Sequence, residues 1–405
     1  MFGKIKVSDK ILWLGVNDRR KTLFENIWPL PEGVCYNSYL IVDRKTALVD
    51  TVDFCAGHSF LDTVERHLDG KTLDYLIINH MELDHTGEVA GLLKRYPEVK
   101  IAGNINTKKI FESYFGEISN FLDVSKGEII DLGYHKLGFI MTPWVHWPET
   151  MMTYDFTEKI LFSGDAFGTF GTLNGGIFDD EINFDVYENE ALRYYSNIVG
   201  KYSGMVQKAF AKLAGTEIKC ICSTHGPVWR SNPEKIIGLY DRWSKYEADE
   251  GVVIIFASMY GNTESVADYI ARKIAEAGVK NIRIHDVSKT HISYLIRDIW
   301  RYRGLILGSC SYNAEMFPPM EHLCRELLHM NVQNKKLGLF GTFSWNGGGV
   351  KNLLKFAADI KWEQVSDAVE FKGIPAEDDY AKCDALASAM ALKTMSLSCH
   401  ETCLY

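Results

Sequence analysis

The run His80-Met81-Glu82-Leu83-Asp84-His85 places four potential metal ligands within six residues. Carboxylates crowded so closely repel one another, and they and the imidazoles lose hydration, unless cations offset both costs. Three more groups of the same kind follow at long intervals. His146 lies in Trp144-Val145-His146-Trp147-Pro148-Glu149, Asp165 in Phe162-Ser163-Gly164-Asp165, and His225 in Ser223-Thr224-His225-Gly226. A single histidine is ordinarily a core or surface residue, and Ser-Gly-Asp is often a plain turn. The dense first cluster is what makes the set read as a metal site.

A second constellation suits an anion and a flat ring. Ser258-Met259-Tyr260-Gly261-Asn262-Thr263 joins the apolar run Val252 to Ala257 to an amphipathic stretch that begins near Glu264. Hydroxyls at both ends and free backbone N–H groups at a helix start form a phosphate-sized nest. The loop holds no lysine and no Gly-x-Gly-x-x-Gly spacing, which argues against a nucleoside triphosphate or a dinucleotide. A monophosphate fits. Two further loops follow strand-like runs: Gly308-Ser309-Cys310-Ser311-Tyr312-Asn313, and Gly341-Thr342-Phe343-Ser344-Trp345-Asn346-Gly347-Gly348-Gly349. Their small residues allow close backbone approach, and Tyr312 and Trp345 offer flat faces for stacking. Cys310 is read as a small apolar filler.

Both sets need strands to hold them. Tyr39-Leu40-Ile41-Val42 and Thr46-Ala47-Leu48-Val49-Asp50 flank the polar turn Asp43-Arg44-Lys45, which predicts a hairpin. The continuous apolar run Tyr75 to Asn79 predicts a strand buried on both faces, with the metal cluster at its carboxyl end. Helices are expected over about 58–68 and 86–95. From Val252 the pattern changes to strict alternation: strand 252–257, helix 264–277, strand 282–286, helix 291–300, strand 304–308, helix 318–330, strand 336–341. That is the pattern of a doubly wound parallel sheet. The change falls near residue 248, giving an uneven αβ domain over 1–248 and an α/β domain over 249–405.

The 405 residues are too many for one ordinary core, and an apolar share of 46% with 24% charged residues is that of a globular chain. A net charge of -9 argues against binding a phosphate backbone, so no nucleic acid partner is expected. No stretch approaches the ~20 apolar residues of a membrane span, and the opening Met1 to Lys6 lacks the apolar region of a secretion signal. Nine cysteines without framework spacing suit reduced thiols, and a cytoplasmic location is expected. Cys399 and Cys403 do not form paired Cys-x-x-Cys units, so no rubredoxin-type iron site is read there.

The first motif resembles that of the metallo-β-lactamase fold, His-x-His-x-Asp-His followed by His, Asp and His. Glu82 stands where the zinc hydrolases have a second histidine. Replacing imidazole with carboxylate makes the pocket harder and more anionic, which favours iron. Two ferrous ions would face the three carboxylates Glu82, Asp84 and Asp165, and one hydroxide would bring the site to neutrality. His-x-Glu-x-Asp-His with these later ligands resembles the flavodiiron protein family, and the second half resembles flavodoxin. The resemblance implies an αββα metallo-β-lactamase-like sandwich followed by a flavodoxin-like parallel sheet. It implies that His80, Glu82 and His146 hold one iron, that Asp84, His85 and His225 hold the other, and that Asp165 bridges them. It places FMN against Ser258, Met259, Tyr260, Gly261, Asn262, Thr263, Ser309, Ser311, Tyr312, Asn313, Thr342, Phe343, Ser344, Trp345 and Gly347.

The same resemblance implies reduction of dioxygen to water, of nitric oxide to nitrous oxide, or both. Electrons would come from an external donor, a reduced deazaflavin or a rubredoxin-type protein, and Asn17-Asp18-Arg19-Arg20 with Leu23-Phe24-Glu25 is similar to the deazaflavin-oxidising members. It implies a head-to-tail homodimer or a tetramer. Trp144, Trp147 and Phe167 are expected to keep the pocket dry, and Glu149 or Tyr154 to relay protons. Ala314-Glu315 departs from the Asn-Gly expected in the second flavin loop. Two other readings are a dinuclear zinc hydrolase with an accessory flavodoxin-like domain and a non-enzymatic electron carrier with a structural metal domain.

Overall fold

The expected hairpin forms in the computed structural model, which describes residues 5–395, with Tyr39–Val42 antiparallel to Thr46–Val49 and Tyr39 opposite Val49. This pair lies in the middle of a seven-stranded sheet. On one side are Ile11–Trp13 and Ile5–Lys6, both antiparallel; on the other are Tyr75–Ile77, Lys100–Gly103 and Phe121–Asp123, all parallel. A second sheet of five strands runs Ile130–Asp131, Lys136–Met141, Met151–Asp155, Ile160–Gly164 and Cys220–Ser223. The two sheets face each other through one apolar core, in which Ile11, Ile41, Val49 and Ile77 of the first meet Leu137, Ile160, Phe162 and Cys222 of the second. Helices Gly57–Leu68 and Ile105–Phe115, and Ser203–Leu213 and Pro233–Ser244, complete the αββα sandwich.

The expected helix over 86–95 is instead two pieces, Leu83–Thr86 and Val89–Arg95. Gly87 separates them. A Cβ on Gly87 would lie 2.5 Å from the Phe54 amide nitrogen, so the chain can pass only as glycine. The short first turn puts Asp84 and His85 in the protein interior, which one straight helix starting at Thr86 would not do.

Compact structure divides between Lys245 and Tyr246. In the second unit the strand order is Ile282–Asp286, Asp249–Ala257, Tyr302–Tyr312, Lys336–Phe343, then the short Glu363–Gln364 and Val369–Lys372. All these neighbours pair in parallel. In chain order this is 2-1-3-4-5, the flavodoxin-like doubly wound sheet, whose ligand crevice lies at the carboxyl ends of strands. Its apolar faces are covered by helices such as Asn262–Glu276 and Glu377–Thr394, with Val266, Ile270, Leu386 and Met390 against Val252, Ile254 and Ile306. Cys399 and Cys403 lie outside the described residues. No described helix is long and apolar enough to cross a membrane.

The candidate metal centre and the flavin loops

The ligand candidates converge because each follows a strand at the same edge of the sandwich. The His80 to His85 run follows Tyr75–Ile77, Asp165 follows Ile160–Gly164, and His225 follows Cys220–Ser223. Asn79 fixes the edge. Its backbone N–H and side-chain amide donate to the two oxygens of Asp50, while Thr153 of the facing sheet donates to its side-chain oxygen Oδ1. Burial pushes the Asp50 carboxyl up to about 6, against the pull of His85 and the Asn79 amide.

Two ligand groups result. The donor atoms of His80, Glu82, His146 and Asp165 lie within 4.8 Å of one another, as do those of Asp84, His85 and His225. Asp165 serves both: its Oδ2 lies 3.0 Å from His146 Nε2 and 3.6 Å from His80 Nε2, and its Oδ1 lies 2.8 Å from His85 Nε2 and 3.5 Å from His225 Nε2. All seven sequence-predicted ligands are thus brought together.

The tautomers are set from outside. His80 Nδ1–H donates to Glu149 at 2.8 Å and His225 Nδ1–H donates to the Cys35 carbonyl at 2.8 Å, so both Nε2 atoms turn inward. Burial pulls the His80 and His146 imidazoles down, but the surrounding carboxylates outweigh it and lift both to about 10; His85 rises likewise to about 9. Burial opposes ionisation of Asp165, yet the three histidines hold its carboxyl well below the usual range. Such a site demands cations. Both oxygens of Asp84, Nδ1 of His85 and Nε2 of His225 are buried without a hydrogen-bond partner. Buried polar atoms left this way are costly unless an ion answers them, so the residues fit a pair of metal ions.

Of the aromatics expected to line the pocket, Trp147 does so, with its ring 5.2 Å from that of His80. Trp144 instead stacks on Tyr202 and is 44% exposed, and Phe167 packs on Tyr240. The rings around His225 are Phe24, Tyr36 and Tyr194, at 5.5 to 5.6 Å, which no spacing in the sequence announces. Tyr154 donates its hydroxyl to the Glu217 carbonyl and is committed there. Glu25, on the exposed hairpin turn at the mouth, has its carboxyl pushed up to about 7 by desolvation and by Glu82. A third group, His135, Asp155 and Glu158, closes a hairpin: Asp155 accepts from His135 Nδ1–H and from the Thr157 and Glu158 amides.

In the second unit the three loops meet at the carboxyl ends of adjacent strands. Gly261 takes φ +94° and its amide donates to Ser258 Oγ, which curls the first loop into the helix start. Thr263 and Thr342 hydroxyls bond at 3.0 Å and are buried, so they tie the first loop to the Lys336–Phe343 strand. Ser309 is buried as well: it donates to the Cys310 carbonyl and accepts from the Phe317 amide. The second segment is not a loop as expected but the end of a strand running to Tyr312, hairpinned through Asn313-Ala314 to Glu315–Met316. Ser311 Oγ accepts from the Gly348 and Gly349 amides and so joins the second and third segments. Tyr260, Trp345, Tyr312 and Met259 are exposed at 91%, 74%, 43% and 42%. Apolar faces presented this openly around a phosphate-sized nest fit a flat cofactor that covers them.

Two family models match the chain: an ODP family beta lactamase over residues 34–226 and flavodoxin over residues 254–384. An anaerobic nitric oxide reductase flavorubredoxin from Aliivibrio fischeri is 32% identical over 368 residues, covering 89% of this chain and 73% of that protein. The chain belongs to the flavodiiron protein family. Solved structures agree. A rubredoxin oxygen:oxidoreductase from Desulfovibrio gigas superposes with a TM-score of 0.91 at 29% identity, over 96% of this chain and 98% of its own. A flavoprotein from Thermotoga maritima gives 0.89 at 28%, over 97% and 98%. As a flavodiiron oxidoreductase, the chain takes FMN and a pair of irons as its cofactors.

Proposed function

We propose that this chain reduces dioxygen to water, nitric oxide to nitrous oxide, or both, with electrons that enter at the flavodoxin-like unit from an external donor. The observation that carries the reading is the pair of buried ligand groups that share Asp165. His80, Glu82 and His146 would hold one iron, Asp84, His85 and His225 the other, and Asp165 would serve both. When bound, the irons supply open coordination and electrons for a diatomic gas, and FMN supplies electrons singly. Glu149 and the Cys35 carbonyl hold two imidazoles in the ligating tautomer. Trp147, Phe24 and Tyr36 limit bulk water around the histidines. Ser258, Gly261, Asn262 and Thr263 cradle the FMN phosphate, and Tyr260, Tyr312 and Trp345 face its ring.

The donor is a reduced deazaflavin or a rubredoxin-type protein, and two copies pair head to tail. The relative named as a nitric oxide reductase supports the nitric oxide arm, and the structure named as an oxygen oxidoreductase supports the dioxygen arm. The test is gas consumption by the reduced, iron-loaded protein, with dioxygen and nitric oxide supplied separately at matched concentration. Sustained loss of either gas, abolished by His80→Ala, is the expected result. Turnover of neither overturns the reading. Particle mass in solution tests the pairing, and a fully active monomer would exclude it.

A further inference from the structure

A cleft of about 680 Å³ opens in the first unit between the segment 13–20, the Gly57–Leu68 helix and the turn at Leu173, and none of the seven proposed iron ligands lines it. Its lining carries three guanidinium groups, Arg19, Arg20 and Arg66, and two carboxylates, Asp18 and Asp62. Arg19 is tethered by bonds to the Thr172 hydroxyl and the Leu173 carbonyl, neither of which answers its charge. Arg20 has no carboxylate within 4 Å among the described residues. Of the two lining carboxylates, Asp18 accepts from the Arg20 and Lys21 amides through Oδ1 and is held below the usual carboxylate range in part by the Arg20 charge, and Asp62 pairs with Arg95 at 2.7 Å.

The helix wall adds neutral polar groups beside Asp62 and Arg66. Ser59, Thr63 and His67 stand four residues apart, so they form a row roughly 12 Å long on one face. Ser59 and Thr63 donate their hydroxyl hydrogens to the Ala56 and Ser59 carbonyls, and His67 Nδ1–H donates to the Thr63 carbonyl. What this row offers the cleft is therefore lone pairs: two hydroxyl oxygens and the imidazole Nε2. Trp13 and Phe60 are the aromatic residues of the lining. Guanidinium donors, a row of acceptors on one helix and aromatic side chains lining one cleft complement one kind of molecule.

We infer that this cleft binds a phosphate monoester on a hydroxylated, ring-bearing body of mononucleotide size. The phosphate dianion answers Arg19 and Arg20, and the hydroxyl and N–H groups of the body donate to Ser59, Thr63 and His67. A bare anion would satisfy the arginines and leave the wall unanswered. This site is independent of the gas-reducing reading, because the cleft stands whatever the metal centre does.

The test is calorimetric titration of the full-length, FMN- and iron-loaded protein with adenosine 5′-monophosphate, adenosine and inorganic phosphate in turn. The monophosphate is expected to bind at least tenfold more tightly than adenosine or phosphate. Arg20→Ala should weaken it tenfold or more, and Arg20→Lys less. Arg19→Ala risks loosening the turn at Leu173, so Arg20, which has no such tether, is the diagnostic position. Thr63→Val should weaken the monophosphate and leave phosphate unchanged. No heat from the monophosphate at millimolar concentration overturns the assignment. So does binding that Arg20→Ala leaves intact, or equal affinity for inorganic phosphate.

Discussion

Glu149 receives the Nδ1–H of His80 at 2.8 Å, with both side chains almost wholly out of solvent. The same carboxylate oxygen accepts the Met81 amide, and Asn104, the cap of the Ile105–Phe115 helix, donates to the Glu149 carbonyl. A strand end, a helix cap and an iron-ligand candidate therefore share one residue. Glu149→Gln keeps the size but removes the charge that orients the imidazole. Iron affinity should fall about 10- to 100-fold, measured by competition with a chelator, while secondary structure is retained. Unchanged affinity would show that His80 is not held through Glu149.

Asp165 presents one oxygen to each ligand group. Asp165→Ala should lower bound iron from two ions per chain towards one or none, by elemental analysis, because each group loses a donor. Retention of two irons would remove Asp165 from the bridging role.

The hairpin residue Ala314 sits at φ +61°, following Asn313 at +51°. A two-residue turn with both φ values positive favours Asn-Gly, and a left-handed alanine costs about 1 kcal/mol relative to glycine. Ala314→Gly should therefore stabilise the second unit by up to about 1 kcal/mol, less the entropy that glycine restores to the unfolded chain. The check is the urea midpoint, read by flavin release. Gly348 is the converse case. A Cβ there would stand 2.0 Å from the Ala314 carbonyl oxygen, so Gly348→Ala should displace the turn and weaken FMN binding.

Lys335 is buried, with Nζ donating to the Trp300 and Tyr302 carbonyls, and burial pushes its ammonium down to about 7. The unfolded chain holds this proton up to about pH 10, so between pH 7 and 10 it binds more protons than the folded one. Stability should rise with pH across that window, by at most about 1.4 kcal/mol per pH unit from this group, and level off below pH 7. Lys335→Met should lack this component of the slope. An identical pH profile in the variant would show that Lys335 stays charged in the fold.

Much of this protein was written in local sequence. The ligand types and their spacing named the metal chemistry, because a dense His-Glu-Asp-His run is hard to explain without cations. Strict strand–helix alternation after residue 248 named the parallel sheet, because hydrophobic period is a local property. What only the tertiary structure decided depends on contacts between distant segments. Position 87, between the two helical pieces, takes only glycine because the Phe54 backbone passes against it. Phe24, Tyr36 and Tyr194 replace the expected Trp144 and Phe167 beside the ligands, because two strands and a helix end far apart in sequence meet there. Ser309 is buried and bonded to the Cys310 carbonyl and the Phe317 amide, since the strand continues to Tyr312 and a hairpin brings Phe317 back against it. The cleft between Arg20 and His67 was invisible for the same reason: its two sides lie more than forty residues apart, and only folding brings donors and acceptors into one cleft.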